Sequence, residues 1–325
     1  MPYFKNAGLA LSSLTLASLI AASTATAQDY PTKPMRFYVG FPPGGSTDII
    51  SRLLAQKLQE RLGQTIVVEQ KIGATGVIAQ DAVAKAAPDG HTLVLLTGGH
   101  PTTAVMMRKL PYDPVADFAM ISIITQYPLA ISVNPASPIR SFDDLLARAK
   151  AEPGKFTFSS AGIGSAHHLL GEWINIEAGT QLVHMPFKGA SPALIELLGG
   201  RLDVMIETMT FAAGQIKSGR IRPLAISATA RLTQFPDVPL ISESLRGVEF
   251  SSWLGIVTSP GTPTAVVDRL NREIRTILTE PDMRQRLADL GGEPYPTSSA
   301  EMRGRVQREI ERWTRVVDAR KIERQ

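Results

Sequence analysis

Residues 35–62 read MRFYVGFPPGGSTDIISRLLAQKLQERL, and this stretch decides the fold class. Residues 35–41 are an apolar run typical of a buried strand, whereas residues 46–62 repeat apolar side chains at helical spacing. A turn rich in Gly and Pro joins the two. A strand followed by such a turn and then by a helix is typical of an α/β protein built on a parallel sheet.

The same unit repeats along the first part of the chain. Residues 65–70 and 91–96 are predicted strands, and residues 77–87 form a predicted helix that ends at Pro88-Asp-Gly90. Strands that alternate with helices in this way imply a parallel sheet, because parallel neighbours need a long crossover connection, usually a helix.

Two further segments mark crossings between two domains. Residues 120–125 and 129–133 are β-rich runs that bracket Gln126-Tyr-Pro128, and a second series of helices and strands follows over residues 141–226. Residues 250–258 are a predicted strand that would return the chain to the first sheet. The chain also approaches the length at which one hydrophobic core usually splits into two.

The expected architecture is α/β, with two lobes that each contain a mostly parallel sheet flanked by helices. Residues 28–126 and 249–325 are assigned to lobe one, and residues 127–248 are assigned to lobe two. We expect a ligand cleft between the lobes, outside the carboxyl ends of the parallel strands.

The N-terminal residues are typical of a secretory signal peptide. Lys5 provides the positive start, residues 9–22 are largely apolar, and Ala25-Thr-Ala27 is a small-residue cleavage site. The apolar stretch is shorter than the roughly 20 residues that span a membrane. We therefore expect residues 1–27 to be removed by cleavage after Ala27, with export to the periplasm and no stable membrane insertion of the mature protein.

Composition argues against several classes of function. The sequence has no Cys, which excludes disulfides and thiolate chemistry, and its 5 His residues lack the spacing of metal ligands. The net charge of +4 comes from interspersed basic and acidic residues, which disfavours nucleic-acid binding. The arginine-rich residues 303–320 alternate with acids in the manner of a solvated helix face. We predict no metal and no other cofactor.

Residues 41–48, Phe-Pro-Pro-Gly-Gly-Ser-Thr-Asp, form the first candidate site. Gly45 lets the backbone approach a ligand, and Ser46 and Thr47 add hydroxyl donors. Asp48 can cap the first helical turn. A helix N-terminus of this kind binds anions such as carboxylates. The spacing of a phosphate-binding loop is missing, and an ordinary strand-to-helix turn is the alternative interpretation.

Residues 159–168 repeat this arrangement in the second lobe. Ser165 and His168 suggest a hydrolase as an alternative function, but they lie on one predicted helix and lack the Gly-x-Ser-x-Gly elbow of that enzyme class. Two loops, residues 73–76 and 97–100, follow predicted strands of lobe one. They are therefore expected to converge on the same cleft.

These segments together resemble the Bug family of periplasmic receptors, the substrate-binding component of tripartite tricarboxylate transporters. The similarity extends over essentially the whole chain after the signal peptide. The motifs that carry it are Tyr30-Pro-x-Lys-Pro34, Phe41-Pro-Pro-Gly-Gly-x-x-Asp48 with Arg52, Ser159 to His168, Pro186-Phe-Lys-Gly189, Leu197-Leu-Gly-Gly200, Pro236-x-Val-Pro239, Trp253-x-Gly255 and Pro260-x-x-Pro263.

The resemblance implies a type II periplasmic-binding-protein fold that closes on a carboxylate. The implied ligand contacts are Phe41, Gly45, Ser46, Thr47, Asp48, Gly76 and Thr97 in lobe one, and Ser160, Gly162, Ser165 and Glu207 in lobe two. Relatives often carry Asp where this chain has Glu207, so this residue bears on ligand identity. The alternative role for Glu207 is to pair with an arginine or to cap the following helix. For Lys188, a surface charge and direct attraction of an anion both stay open.

The predicted function is that of a solute receptor and not that of an enzyme. The protein would bind a small organic carboxylate by lobe closure and deliver it, as a monomer, to the membrane permease subunits of a tripartite transporter. Presentation of the liganded receptor to a membrane sensor kinase is a further alternative that the sequence leaves open.

Overall fold

The computed structural model describes residues 30–41, 43, 46–187 and 189–324. The predicted signal peptide, Gly45 and Lys188 lie outside these residues, as does the side chain of Ser46. The strands, in chain order, are β1 (Met35–Val39), β2 (Ile66–Gln70), β3 (Thr92–Thr97), β4 (Ala119–Val133), β5 (Thr157–Ser160), β6 (Val183–Pro186), β7 (Met205–Thr208), β8 (Arg222–Ile226), β9 (Ser251–Thr258) and β10 (Glu293–Pro294). The helices are α1 (Ser46–Leu62), α2 (Val77–Ala84), α3 (Gly99–Met106), α4 (Phe142–Ala151), α5 (Ala166–Ala178), α6 (Ala190–Leu198), α7 (Met209–Lys217), α8 (Ile241–Ser244), α9 (Thr264–Ile277), α10 (Pro281–Asp289) and α11 (Ser299–Ala319).

The first sheet contains β1, the strand that precedes α1. Its strand order is β10-β4-β9-β3-β1-β2. β1 lies between β2 and β3 and is parallel to both, as predicted. β9 runs antiparallel to β3 and to β4, so the sheet is mixed. The turns that follow β1, β2 and β3 therefore lie at one edge of the sheet, where ligands of α/β proteins bind.

The second lobe is built on the C-terminal part of β4. β7 and β8 both pair with this part in antiparallel orientation. β5 and β6 are parallel to each other, and a bridge between Phe158 and Val204 places β5 beside the segment that leads into β7. The glycine-rich turn between β5 and α5 thus occupies the same kind of position as the turn between β1 and α1.

β4 is one continuous strand of 15 residues, where the sequence predicted two strands separated by a crossing. Its residues up to Pro128 pair with β9, and Leu129 begins the pairing with β7. Pro128 has no N–H to donate, and a sheet tolerates proline where its N–H is not needed for pairing. The chain stays extended here because β4 only changes its pairing partners between Pro128 and Leu129.

Helix α3 is missing from the sequence prediction. Gly98, Gly99 and Pro101 are typical of a turn, and they follow β3 directly. Pro101 lies in the first turn of α3, however, where backbone N–H groups have no partner within the helix. A proline at this position therefore breaks no helical hydrogen bond.

Helix α11 contributes to the hydrophobic cores of both lobes. Met302 and Val306 pack in the core that contains Trp253. Trp313, further along the same helix, packs in the core that contains Phe158 of β5. None of the helices among the described residues has the length and apolar composition of a membrane span.

Candidate functional site

A cavity of about 510 Å³ lies between the two lobes, and its wall draws residues from both. Four residues of the predicted site lie in this wall, namely Phe41, Thr47, Thr97 and Ser165. Tyr127 of β4 and Ser252 of β9 also line it, so the two crossing strands form one side of the cavity. The predicted cleft is therefore present, and these side chains are brought together there; their contact with a ligand stays a prediction.

Three helices begin at the cavity. Its wall includes Thr47 in the first turn of α1, Gly99 at the start of α3 and Ala166 at the start of α5. The first N–H groups of a helix have no intrahelical partner, and the helix dipole gives this end a partial positive charge. An anion in the cavity would therefore meet the positive ends of helix dipoles from both lobes.

The loop after β2 has a strained backbone where it meets the cavity. Ala74 and Thr75 line the wall with φ values of 44° and 56°. Non-glycine residues rarely adopt this left-handed region, and such strain costs about 1–3 kcal/mol per residue and clusters at functional sites. The sequence analysis expected the loop at residues 73–76 to reach the cleft, and within it the lining residues are Ala74 and Thr75, whereas the resemblance had implied Gly76 as the contact.

Gly76 and Asp48 lie behind the wall and have structural partners. A Cβ on Gly40 would lie 2.5 Å from the Gly76 Cα, so the end of β1 and this turn need glycines to approach each other. Asp48 is buried, and its Oδ1 accepts hydrogen bonds from Arg52 Nε at 3.0 Å and Gln70 Nε2 at 2.7 Å. Both residues therefore shape the first turn from behind the cavity.

Helix α3 supplies the part of the wall that sequence reasoning missed. Thr102, Thr103, Met106 and Met107 all line the cavity. They combine two hydroxyl groups with two flexible apolar side chains, which is the mixed lining typical of small-molecule sites. The signal in the sequence was the Gly-Gly pair after β3, which was interpreted as a loop and not as the start of a helix.

Ser165 and His168 have structural roles in this region. Ser165 is the N-cap of α5, and its Oγ accepts a hydrogen bond from the backbone N–H of His168 at 3.3 Å. The His168 Nδ1 accepts from the Gly164 N–H at 3.1 Å, and the ring stacks on His184 at a centroid distance of 3.7 Å. Burial, followed by the neighbouring His184, lowers the pKa of His168 to about 3. The Ser–His pair required by the hydrolase alternative is therefore not formed by these residues.

Ser160 and Gly162 belong to the turn behind this helix start. Ser160 Oγ lies 2.5 Å from His184 Nε2 and 3.1 Å from the carbonyl oxygen of Gly162. Gly162 has a φ of 112°, which only glycine adopts without strain. Neither residue lies in the cavity wall, and their neighbours Ala161, Ile163 and Gly164 line it instead.

Glu207 lies directly behind two residues of the wall, His167 and Thr208. Its Oε1 accepts hydrogen bonds from His167 Nε2 at 3.1 Å, Thr208 N at 2.8 Å and Thr208 Oγ1 at 3.1 Å. Burial raises the pKa of Glu207, but the hydrogen bonds and charge of these neighbours outweigh it, so the net pKa is below its usual value. The carboxylate is therefore ionised and bonded to a histidine, where the sequence analysis considered an arginine.

His167 is a functional candidate that the sequence analysis did not select. Its ring lines the cavity and is held by Glu207, while its Nδ1 is buried without a hydrogen-bond partner among the described residues. No signal in the sequence identified it, because the pairing joins residues 40 positions apart. Within the described part of the chain, no group of His, Cys, Asp and Glu is placed to hold a metal ion.

Comparison with known proteins identifies the family. Residues 50–322 match the family described as the tripartite tricarboxylate transporter family receptor. The chain belongs to this receptor family. The protein BugT of Bordetella pertussis is 37% identical over 313 residues, which cover 95% of this chain and 96% of BugT. The resemblance to the Bug receptors is therefore confirmed.

Solved structures of receptors of this kind confirm the two-lobed fold. An R. palustris protein solved with adipate is 33% identical, covers 91% of this chain and 99% of its own, and has a TM-score of 0.77. The periplasmic binding protein BugD is 32% identical, covers 91% of this chain and 100% of its own, and has a TM-score of 0.74. Since these relatives and the family itself are receptors, the prediction that the chain is not an enzyme is also confirmed.

Proposed function

We propose that this receptor binds one small organic carboxylate in the cavity and delivers it to the membrane permease subunits of a tripartite transporter. The convergence of the N-termini of α1, α3 and α5 on the cavity carries the proposal, because the positive end of a helix dipole favours an anion. The adipate in a solved relative supports a carboxylate as the ligand class.

Closure of the lobes is the proposed mechanism. Lobe one would comprise residues 28–126 and 249–325, and lobe two residues 127–248, with β4 and β9 as the hinge. Because the cavity wall draws on both lobes, a ligand gains all its contacts only when they come together. It therefore shifts the population toward the closed form, which the permease would recognise.

The loop at residues 41–48 is proposed as the anchor for the ligand carboxylate. Thr47 supports this assignment because it lies in the wall at the start of α1. The contributions of Gly45 and Ser46 stay predictions, since Gly45 and the Ser46 side chain lie outside the described part of the structure.

The far end of the ligand is proposed to meet His167 and Thr208, with Glu207 acting through them. Glu207 Oε1 already accepts three hydrogen bonds, so the carboxylate is occupied by protein donors. Its negative charge remains, so a second ligand carboxylate placed against His167 and Thr208 would be repelled by it. The favoured ligand has one carboxylate at the helix N-termini and a neutral hydrogen-bonding group toward His167.

The proposal also includes export of the protein to the periplasm. The signal peptide would be removed after Ala27, and the mature protein would act as a monomer in the periplasm. The composition of residues 1–27 and the periplasmic location stated for the relative BugD support this location.

A thermal-shift panel of mono-, di- and tricarboxylates tests the function. Ligand at 100 times its Kd stabilises the folded state by about 2.7 kcal/mol, which is readily measured. The expected result is selective stabilisation by one group of carboxylates, reduced in Thr47→Val and retained in the control Thr276→Val, which alters an exposed threonine of α9. A panel without any stabilising carboxylate, or equal stabilisation of both variants, would refute the assignment.

A further inference from the structure

A second cavity, of about 260 Å³, lies on the opposite face of the crossing strands. In β4, Tyr127 lines the ligand cavity and its neighbour Gln126 lines the second one. In β9, Ser252 lines the ligand cavity and its neighbour Ser251 lines the second one. Successive side chains of a strand point to opposite faces, so the same two strands separate the cavities.

Three arginines of α11 line this second cavity, which we term the arginine cavity: Arg305, Arg308 and Arg312. Their spacing places them on one face of the helix. All three nitrogens of Arg305 are hydrogen-bonded: Nε donates to Glu309 Oε1 at 2.8 Å, Nη2 to the Ser251 carbonyl at 2.6 Å and Nη1 to Gln126 Oε1 at 3.3 Å. Glu309 is buried and balances its charge. Arg305 therefore forms part of the cavity wall, and its charge is already balanced within the protein.

Most N–H donors of the Arg312 guanidinium have no hydrogen-bond partner among the described residues. Its Nη1 donates to the Glu249 carbonyl at 3.3 Å, and its guanidinium carbon lies 4.7 Å from the ring centroid of Trp173. Burial lowers the pKa of Arg312; Glu309 opposes this shift, whereas the neighbouring arginines add to it. A guanidinium has five N–H donors and stays charged in proteins, so Arg312 is a half-buried cation with most of its donors unused.

Arg308 adds a second available cation. It is exposed, and it has no hydrogen bond or ion pair with the part of the chain that the structure describes. One exposed carboxylate, that of Glu249, also lines the cavity. Since Glu309 balances Arg305, the remaining charges are two arginines against one glutamate, and the cavity is positive.

We propose that the arginine cavity is a second anion-binding site, which takes a carboxylate or phosphate group between Arg308 and Arg312. Guanidinium groups bind such oxyanions through paired, charge-assisted hydrogen bonds. An anion here would relieve the repulsion between the arginines and satisfy the unused donors of Arg312. The group could come from a free anion or from an acidic segment of a partner protein, because both offer the same oxygens.

The arginine cavity lies against β4 and β9, the two strands proposed as the hinge. The wall of the arginine cavity includes Arg308 of α11 and Tyr295, which follows β10. It also includes Thr229, which follows β8, and Gly247, which precedes β9. A movement of the lobes would change the spacing of these groups. An anion in the arginine cavity is therefore expected to change the affinity of the ligand cavity, and the coupling must be reciprocal.

Phosphate titration at constant ionic strength tests the proposal independently of the carboxylate ligand. Binding to the wild type, followed by calorimetry, should weaken about 10-fold or more in Arg308→Gln, as expected when a charge-assisted hydrogen bond is lost. Arg286→Gln, which alters an exposed arginine of α10 outside the arginine cavity, is the matched control and should bind phosphate as the wild type does. Arg312→Gln, with its fold checked by circular dichroism, should resemble Arg308→Gln.

The results of these titrations either support or overturn the second anion-binding site. No phosphate binding by the wild type, or equal affinity in Arg308→Gln and Arg286→Gln, would overturn the site. A triglutamate peptide provides a second arm. Tighter binding of the peptide than of phosphate, lost in Arg308→Gln, would support the site and assign it to an acidic segment of a partner, whereas tighter binding of phosphate would assign it to a free anion.

Discussion

Replacement of Glu207 by Gln tests the buried pair behind the cavity wall. Glu207 is 8% exposed and accepts hydrogen bonds from His167 and from two atoms of Thr208. The amide keeps the shape of the side chain but removes its charge, and a hydrogen bond to a charged group contributes about 1.5–3 kcal/mol. We expect Glu207→Gln to lower the free energy of unfolding by about this amount at neutral pH.

The loss should also depend on pH in one direction. The folded-state pKa of Glu207 lies below the ordinary value of 4.5, because its hydrogen bonds outweigh its burial. A carboxylate with a depressed pKa stabilises the fold above its unfolded-state pKa, and this contribution is lost as the pH falls through the folded-state pKa. The stability gap between wild type and variant should therefore be complete above pH 4.5 and should shrink below it.

Urea unfolding followed by circular dichroism at several pH values measures this gap. Glu243→Gln is the control, since Glu243 pairs with Arg231 at the surface and an exposed pair contributes only about 0–1 kcal/mol. Combination with His167→Gln should give a coupling energy of about 0.5–3 kcal/mol, as for residues in direct contact. An unchanged stability of Glu207→Gln at neutral pH, or a gap that grows as the pH falls, would refute the reasoning.

Two further predictions concern the helix starts at the cavity. Ser165→Ala removes the N-cap of α5 and should cost about 0.5–2 kcal/mol in urea unfolding, whereas Ser165→Asn should retain most of it; ester hydrolysis by the wild type that disappears in Ser165→Ala would instead restore the hydrolase alternative. Thr47→Val removes a hydroxyl worth about 0.5–1.5 kcal/mol and should weaken carboxylate binding roughly 2- to 13-fold by calorimetry. Unaltered affinity would remove the Thr47 hydroxyl from the site.

The sequence predicted the parts of the site that follow directly from chain order. Thr97 ends β3 and Thr47 follows β1, and parallel strands bring their carboxyl ends to one edge of a sheet. Ser165 follows β5 in the second lobe in the same way. A strand, a glycine-rich turn and a helix start are all local features, which can be predicted from a single sequence. The predicted bounds of α1 agree with the structure for the same reason.

Contacts between distant residues could not be predicted in this way. The resemblance to the Bug family implied that Glu207 lies near the cleft, but the interposed ring of His167 depends on how α5 packs against β7. Residues 303–320 have the spacing of a solvated face, yet Arg312 lies over Trp173 of the other lobe. Side-chain pairing across elements depends on tertiary packing, which charge and periodicity along one element do not encode.

Small-angle scattering with and without the carboxylate selected by the thermal-shift panel tests the central claim most directly. A ligand that contacts both lobes stabilises the closed form, so the radius of gyration should fall when the cavity is saturated. Saturation is verified by calorimetry on the same sample. An unchanged scattering profile at verified saturation would contradict lobe closure as the mechanism of this receptor.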